Sequence, residues 1–285
     1  MRNFLIIPIL FIFLVSCSNS EDFDIPKISK LEKLEEHSNQ FIKGIYSYDN
    51  GIHVAIGFGI ANSIMVEGEG GNIIIDTTDD VSQAKEVLSE FQKINQNPIK
   101  AIIYTHNHGD HVFGASEFYN AQEEKPLVIS HSTTAEKVEK ILGIINPIIT
   151  VRSGKMFGTN LDEDELINVG LGPYLSAGRS SPGYIAPTMT FEKELKLEIA
   201  GHKVELYHAP GETDDQLFVW FPELSALMPG DNFYTTFPNL YTIRGTSHRD
   251  VIGWVNSIDK MRSLDPQYLF PSHTMPVVGE EISNA

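Results

Sequence analysis

The chain is poor in cysteine and in positive charge, and it has no hydrophobic run long enough to dominate it. Among 285 residues there is one Cys, and 21 Lys and Arg stand against 38 Asp and Glu, a formal charge of −17 at pH 7. A single cysteine excludes an intrachain disulfide framework and a thiolate zinc ribbon. The deficit of Lys and Arg argues against a nucleic-acid partner, because binding a phosphate backbone needs concentrated positive charge. Hydrophobic residues still make up 41% of the chain, so a sizeable core is expected and global disorder is not. At about 100–200 residues per domain, the length allows one large domain or two small ones. No tandem repeat or low-complexity tract is visible.

The lone cysteine, Cys17, ends a segment with a basic start (Arg2), an apolar run from Phe4 to Val15, and Ser16. That run is well short of the roughly 20 apolar residues a spanning helix needs, so it reads as a signal peptide. Leu14-Val15-Ser16-Cys17 resembles a bacterial lipobox, in which cleavage before Cys leaves a thiol to be acylated; a plain secretory signal with an incidental Cys is the alternative. The expected organisation is a lipoprotein signal peptide over 1–16, a polar tether over 17–30 and one domain over 31–285. The protein would be exported to the periplasm or cell surface and held to the membrane by an acyl anchor on Cys17.

Beyond the tether, a short helical pattern (Leu31, Leu34, Phe41) gives way to strand runs at Ile52 to Ile60 and Ala61 to Val66. The run Asn72-Ile73-Ile74-Ile75-Asp76 follows a Gly-rich turn and completes a hairpin. Val81 to Ile94 has helical spacing, and Asn97-Pro98 stops it before a strand at Ile99 to Tyr104. A helix is expected from about Asp110, a strand at Pro126 to Ser130 and a helix at Thr133 to Ile144. Residues 145 to 189 read as a long Gly- and Pro-rich loop. There Leu171-Gly172-Pro173-Tyr174 and Pro182-Gly183-Tyr184 suit either a wall over a pocket or a solvated insertion. Strands follow at Met189 to Phe191, Leu195 to Ile199, Lys203 to His208, Leu217 to Phe221 and Ala226 to Met228. A helix at Arg249 to Leu264 and a strand at Tyr268 to Phe270 close an α/β domain.

The sharpest chemical signal is Thr105-His106-Asn107-His108-Gly109-Asp110-His111, directly after the apolar strand Ile99 to Tyr104. In an extended loop residues two apart point the same way, so His106 and His108 can face one metal ion. Gly109 allows a sharp turn, after which Asp110 and His111 face a second point nearby. Isolated histidines are ordinary polar residues, but three His and an Asp on one strand-to-helix turn point to metal binding.

His-x-His-x-Asp-His after a buried strand resembles the signature of the metallo-β-lactamase fold, an αββα four-layer sandwich. The resemblance implies a dinuclear metal site between the strand-end loops of the two halves. It makes Asp76 a carboxylate that supports the ligands, although burial alone would equally make it a strand cap. It also draws in Pro210-Gly211-Glu212-Thr213, Pro229-Gly230-Asp231-Asn232 and Pro271-Ser272-His273-Thr274. Most members carry His where Glu212 stands, whereas members resembling the alkyl sulfatases carry Glu. On that likeness His106, His108 and Glu212 would hold one metal, Asp110, His111 and His273 the other, with Asp231 as the bridge. Zinc tolerates mixed nitrogen and oxygen ligands and is the expected metal, with manganese or iron as alternatives.

Pro238-Asn239-Leu240-Tyr241-Thr242-Ile243-Arg244-Gly245 resembles the sulfate-holding segment of the alkyl sulfatases. Asn239, Tyr241 and Arg244 are the implied substrate residues, and a guanidinium suits a tetrahedral oxyanion; the alternative for Arg244 is a structural ion pair. The implied function is hydrolysis of a small sulfate ester by a metal-activated hydroxide, with Asp110, Asp231 and Arg244 in the catalytic centre. Sulfate is a weak base and leaves without a general acid, which favours attack at carbon. Tyr174, Tyr184, Phe233 and Phe237 are candidates to line a channel for an alkyl chain or, equally, core residues. The rivals are a hydrolase of a lactone, phosphodiester or β-lactam on the same fold, and a lipoprotein that binds metal or sulfated ligands without turnover. The other histidines have bland expectations: His131 and His202 at strand ends, His248 at a helix start, His37 and His53 without a partner pattern, and His208 in simple packing. The chain after His273 is short for the family, in which full alkyl sulfatases add dimerisation and sterol-carrier-like domains. A homodimer and a naturally short or truncated C-terminus are both compatible with that.

Overall fold

The computed structural model describes residues 30–162, 165–174 and 182–284. Cys17, the signal segment and nearly all of the tether lie outside them. Strands Gly44–Tyr48 (β1), Ile52–Ile56 (β2), Ser63–Gly68 (β3), Gly71–Ile75 (β4), Ile99–Ile103 (β5), Leu127–His131 (β6) and Met189–Phe191 (β7) lie side by side in that order in one sheet. The second sheet runs in order through Glu194–Ile199 (β8), His202–His208 (β9), Leu217–Phe221 (β10), Ala226–Met228 (β11), Tyr268–Leu269 (β12) and Val277–Val278 (β13). The helices are Lys30–His37 (α1), Val81–Ile94 (α2), Gly109–Val112 (α3), Ala115–Asn120 (α4), Thr134–Leu142 (α5), Asn146–Met156 (α6) and Val251–Arg262 (α7). No helix among the described residues is long and apolar enough to cross a membrane.

The apolar runs that looked continuous in sequence are strands buried on both faces. Ile73, Ile75, Ala101, Ile103 and Ile129 point inward and pack against Val204, Leu206, Leu217, Val219 and Phe221 of the other sheet. Their neighbours Ile74, Ile102 and Val128 point outward onto Ala84, Val87 and Phe91 of α2, Phe118 of α4 and Val138 of α5. On the far side, Phe218, Trp220 and Leu227 pack on Met261 of α7. This period-two alternation produces the four layers of an αββα sandwich. Each fully buried Ile or Phe contributes about 1.5–3 kcal/mol relative to exposure.

Parallel pairing places the site. β4, β5 and β6 run parallel, as do β11 and β12, so the segments leaving β4, β5, β11 and β12 emerge at carboxyl ends of strands, where α/β sheets collect their ligands.

Three expectations need correction. The strand Gly44–Tyr48 at the edge of the first sheet was not anticipated; it is short and only partly buried, so it carries little apolar signal. Residues 146–156, read as loop, form α6; a proline opens it and none of its residues is buried, so it has no apolar face for a periodicity to reveal. Gly109 does not turn the chain by an unusual conformation, since it opens the helical turn α3. A Cβ there would lie 2.4 Å from the Phe113 ring, which would have to shift to admit it.

Gly230 is the stricter case, with φ +59° and a Cβ position 2.0 Å from Gln216 Nε2 and 2.9 Å from Thr105 Cβ. Gly230→Ala is expected to destabilise the fold by at least about 1–3 kcal/mol, the cost of left-handed backbone alone, and to displace Asp231. Equilibrium urea unfolding checks this, and an unchanged midpoint would refute it.

Candidate metal centre

The centre is assembled on Asp76, which follows β4 with φ 57° and is fully buried. Its Oδ1 accepts the Thr105 backbone N–H at 2.9 Å, and its Oδ2 accepts the hydroxyls of Thr105 at 2.8 Å and Ser272 at 2.7 Å. Oδ2 also meets His111 Nδ1 at 2.7 Å. A carboxylate accepting from His111 Nδ1 fixes the ring and leaves Nε2 free to bind a cation. A second buried acid, Asp215, holds the same loop from the other side, accepting from Asn107 Nδ2 and, at 2.7 Å, from the Thr134 hydroxyl.

Two groups of donor atoms result, His106, His108, Glu212 and Asp231 in one and Asp110, His111 and His273 in the other. Within each group the donor atoms lie within 4.8 Å of one another. Asp231 Oδ2 stands between them, 3.7 Å from His106 Nε2, 3.4 Å from His111 Nε2 and 3.1 Å from His273 Nε2. His111 Nε2 and His273 Nε2 lie 3.3 and 3.6 Å from Asp110 Oδ2. His106 Nε2, His111 Nε2, Glu212 Oε2 and Asp231 Oδ1 are buried without a hydrogen-bond partner among the described residues. Buried polar atoms ordinarily have partners, so four orphans distributed over these two donor groups fit divalent cations.

The charges agree with that fit. Burial and the neighbouring His111 push His106 down to about 4, and burial together with Arg244 holds His108 well below the ordinary imidazole value. Burial alone would also depress His111, but Asp231, Asp110 and Asp76 outweigh it and raise it well above that value. Burial is outweighed at His273 too, by Asp231 and Asp110. Glu212 is raised by burial beside Asp231. At Asp231, by contrast, His273 and His111 overcome burial and hold the carboxyl well below its usual range.

Of the residues implied to hold substrate, Arg244 reaches the cluster, its Nη2 lying 3.1 Å from His108 Nε2. Asn239 and Tyr241 are on the same segment with exposed side chains. Tyr184 is 6.0 Å from Tyr104 in the outer layer and Phe233 packs beneath α7, both partly buried against core clusters. Phe237 is 86% exposed. His208 stacks on His131 at 4.2 Å and takes no part in the cluster, while His37 and His53 do have partners, Gly170 O and the Ser47 hydroxyl.

Asp215, Ser272 and Arg249 escaped the sequence reading. Ser272 was visible within Pro271-Ser272-His273, but its contact with Asp76 joins positions 196 apart in the chain. Arg249, buried at 3% exposure, pairs with Glu212. Nothing local distinguishes it from a residue at a helix start.

Asp231 and Asp110 outweigh burial at His111 and His273, so these imidazoles keep their protons to higher pH than an ordinary one, and a cation must displace them. Affinity for a divalent ion is therefore expected to rise with pH, by up to about one decade per pH unit for each proton lost. Calorimetric titration with zinc in buffers of different ionisation enthalpy measures the release, and binding without release would contradict the charge assignment.

The profile of the metallo-beta-lactamase superfamily matches residues 56–273. A linear primary-alkylsulfatase from a Pseudomonas species is 40% identical over 223 residues, covering 76% of this chain and 42% of its own length. The alkyl/aryl-sulfatase BDS1 of Saccharomyces cerevisiae is 26% identical over 253 residues, covering 84% and 38%. The stereoselective inverting sec-alkylsulfatase Pisa1 from Pseudomonas superposes with a TM-score of 0.79 at 23% identity, over 87% of this chain and 40% of that one, a likeness of fold. The chain thus spans about two fifths of the length of these relatives. Motif, four-layer fold and paired donor groups agree with the profile, and the chain belongs to the metallo-beta-lactamase superfamily.

Proposed function

We propose that the chain hydrolyses alkyl sulfate esters, using two divalent ions, zinc by preference. His106, His108 and Glu212 would hold one, Asp110, His111 and His273 the other, and Asp231 would bridge them. The observation that carries the reading is Arg244, a guanidinium that the fold brings against His108 of the donor cluster; the likeness to alkylsulfatases supports it. Bound divalent ions supply Lewis acidity and bring the pKa of water toward neutrality.

The chain's own groups do the rest. His108 Nε2 cannot give its lone pair to both a cation and Arg244, so a filled site frees the guanidinium fork for a sulfate group. Asp231, held ionised by His273 and His111, orients the attacking oxygen through its carboxylate. The motifs offer no general acid, and the titratable groups in the cluster are assigned to metal binding. Attack is therefore assigned to carbon, where the C–O bond breaks and sulfate leaves with the electron pair without needing a proton.

Sulfate release from dodecyl sulfate by zinc-loaded protein tests this. Arg244→Ala should lower kcat/KM by about 10²–10³-fold, the scale for losing one oxyanion donor, and Glu212→Ala should lower metal content. In ¹⁸O-water the label should enter the alcohol, whereas label in the sulfate would mean attack at sulfur. Full activity in Arg244→Ala, or turnover of a lactone, phosphodiester or β-lactam instead, would overturn the assignment.

The N-terminal segment adds export and an acyl anchor on Cys17 to the proposal. Labelled palmitate should enter the wild-type chain in a bacterial host and not Cys17→Ser, and equal labelling of the two would dismiss the anchor.

A further inference from the structure

Arg249 is a buried guanidinium that the mechanism above does not use. It precedes α7 and contacts two separate elements: one terminal nitrogen pairs with Glu212 Oε1, the other donates to the Asn239 carbonyl. Its backbone N–H donates to Leu240 O at 3.4 Å, so the segment from Asn239 to Arg249 closes on itself with Arg244 inside it. The Trp254 ring lies 5.9 Å from the guanidinium. Glu212 thereby gives one oxygen to Arg249, while Oε2 is buried without a hydrogen-bond partner among the described residues.

We infer that Arg249 is a positioning residue that couples the metal centre to the anion-holding loop: it turns Glu212 so that Oε2 faces the cluster, and it ties the loop carrying Arg244 to that same carboxylate. This rests on Glu212 being a metal ligand. The arrangement also explains why a carboxylate stands at 212. Two acceptor oxygens serve a cation and a guanidinium together, whereas an imidazole coordinating through one nitrogen has only an N–H left to set against Arg249. Lysine could keep the charge but not the fork that reaches both Glu212 and Asn239 O.

Wild-type, Arg249→Met and Arg249→Lys proteins would be dialysed against zinc and their metal content measured, and the metal-free proteins would be subjected to limited proteolysis. Wild type is expected to hold two ions. Arg249→Met should hold one of them about 10–100-fold more weakly, the usual effect of removing a group that orients a ligand, and should be cut faster between 237 and 249. Arg249→Lys should recover most of the metal affinity but not the protection of the loop, and should raise KM for dodecyl sulfate more than it lowers kcat. Wild-type metal content in Arg249→Met, or wild-type loop protection in Arg249→Lys, would overturn the inference. Should Arg249→Met fail to fold, the Lys variant decides by its loop protection and KM. A wild-type protein that binds no zinc would instead refute Glu212 as a ligand, while the proteolysis arm would still test the loop tie.

Discussion

Asp76 receives the Thr105 backbone and hydroxyl, the Ser272 hydroxyl and His111 Nδ1 at one buried carboxylate. Those partners belong to three segments: the loop after β5, the turn that opens the helix behind it, and the loop after β12 in the other sheet. Asp76 thereby ties the donor-bearing turn of the first half to the second half, as Asp215 does from the other side. Its left-handed backbone conformation is tolerated because aspartate visits that region more readily than most residues. It is also held from behind, where the Asp76 carbonyl accepts the Ser63 hydroxyl at 2.7 Å and the Asp76 N–H donates to Ile103 O at 3.0 Å.

The centre that follows from this is a dense cluster of buried ionisable groups. Glu212 and Asp231 are driven in opposite directions although both are buried, because Asp231 is surrounded by imidazoles and Glu212 stands beside Asp231. His106 and His108 are pushed toward the neutral form while His111 and His273 are pushed toward the charged one. The split follows the carboxylates, since Asp231 and Asp110 crowd His111 and His273. Burying so many ionisable groups is costly unless they are paired or hold metals, and the orphaned nitrogens and oxygens lie where metals would satisfy them.

Much of this was legible in sequence. Val81–Ile94 and Leu217–Phe221 were read with the bounds the structure gives them, because a strong helical period and a continuous apolar run are local signals. His106 and His108 could be paired by their spacing alone. Glu212, Asp231 and His273 were reached only by resemblance, since each is an isolated acid or imidazole in its own stretch of chain. The helix at 146–156 was missed because it buries nothing, and β1 because an edge strand shows little apolar signal.

The sequence by itself determined the period of the buried strands, the choice of donor chemistry in the His-x-His-x-Asp-His turn, and the Glu at position 212. Only the tertiary structure decided which donor groups come together and which side chains hold them in place. Ser272 reaches Asp76 and Arg249 reaches Glu212 across long stretches of chain. The physical reason is that periodicity and turn chemistry act between neighbours along the chain. A buried charge, in contrast, is settled by whatever the packing of two sheets brings within a few ångströms of it.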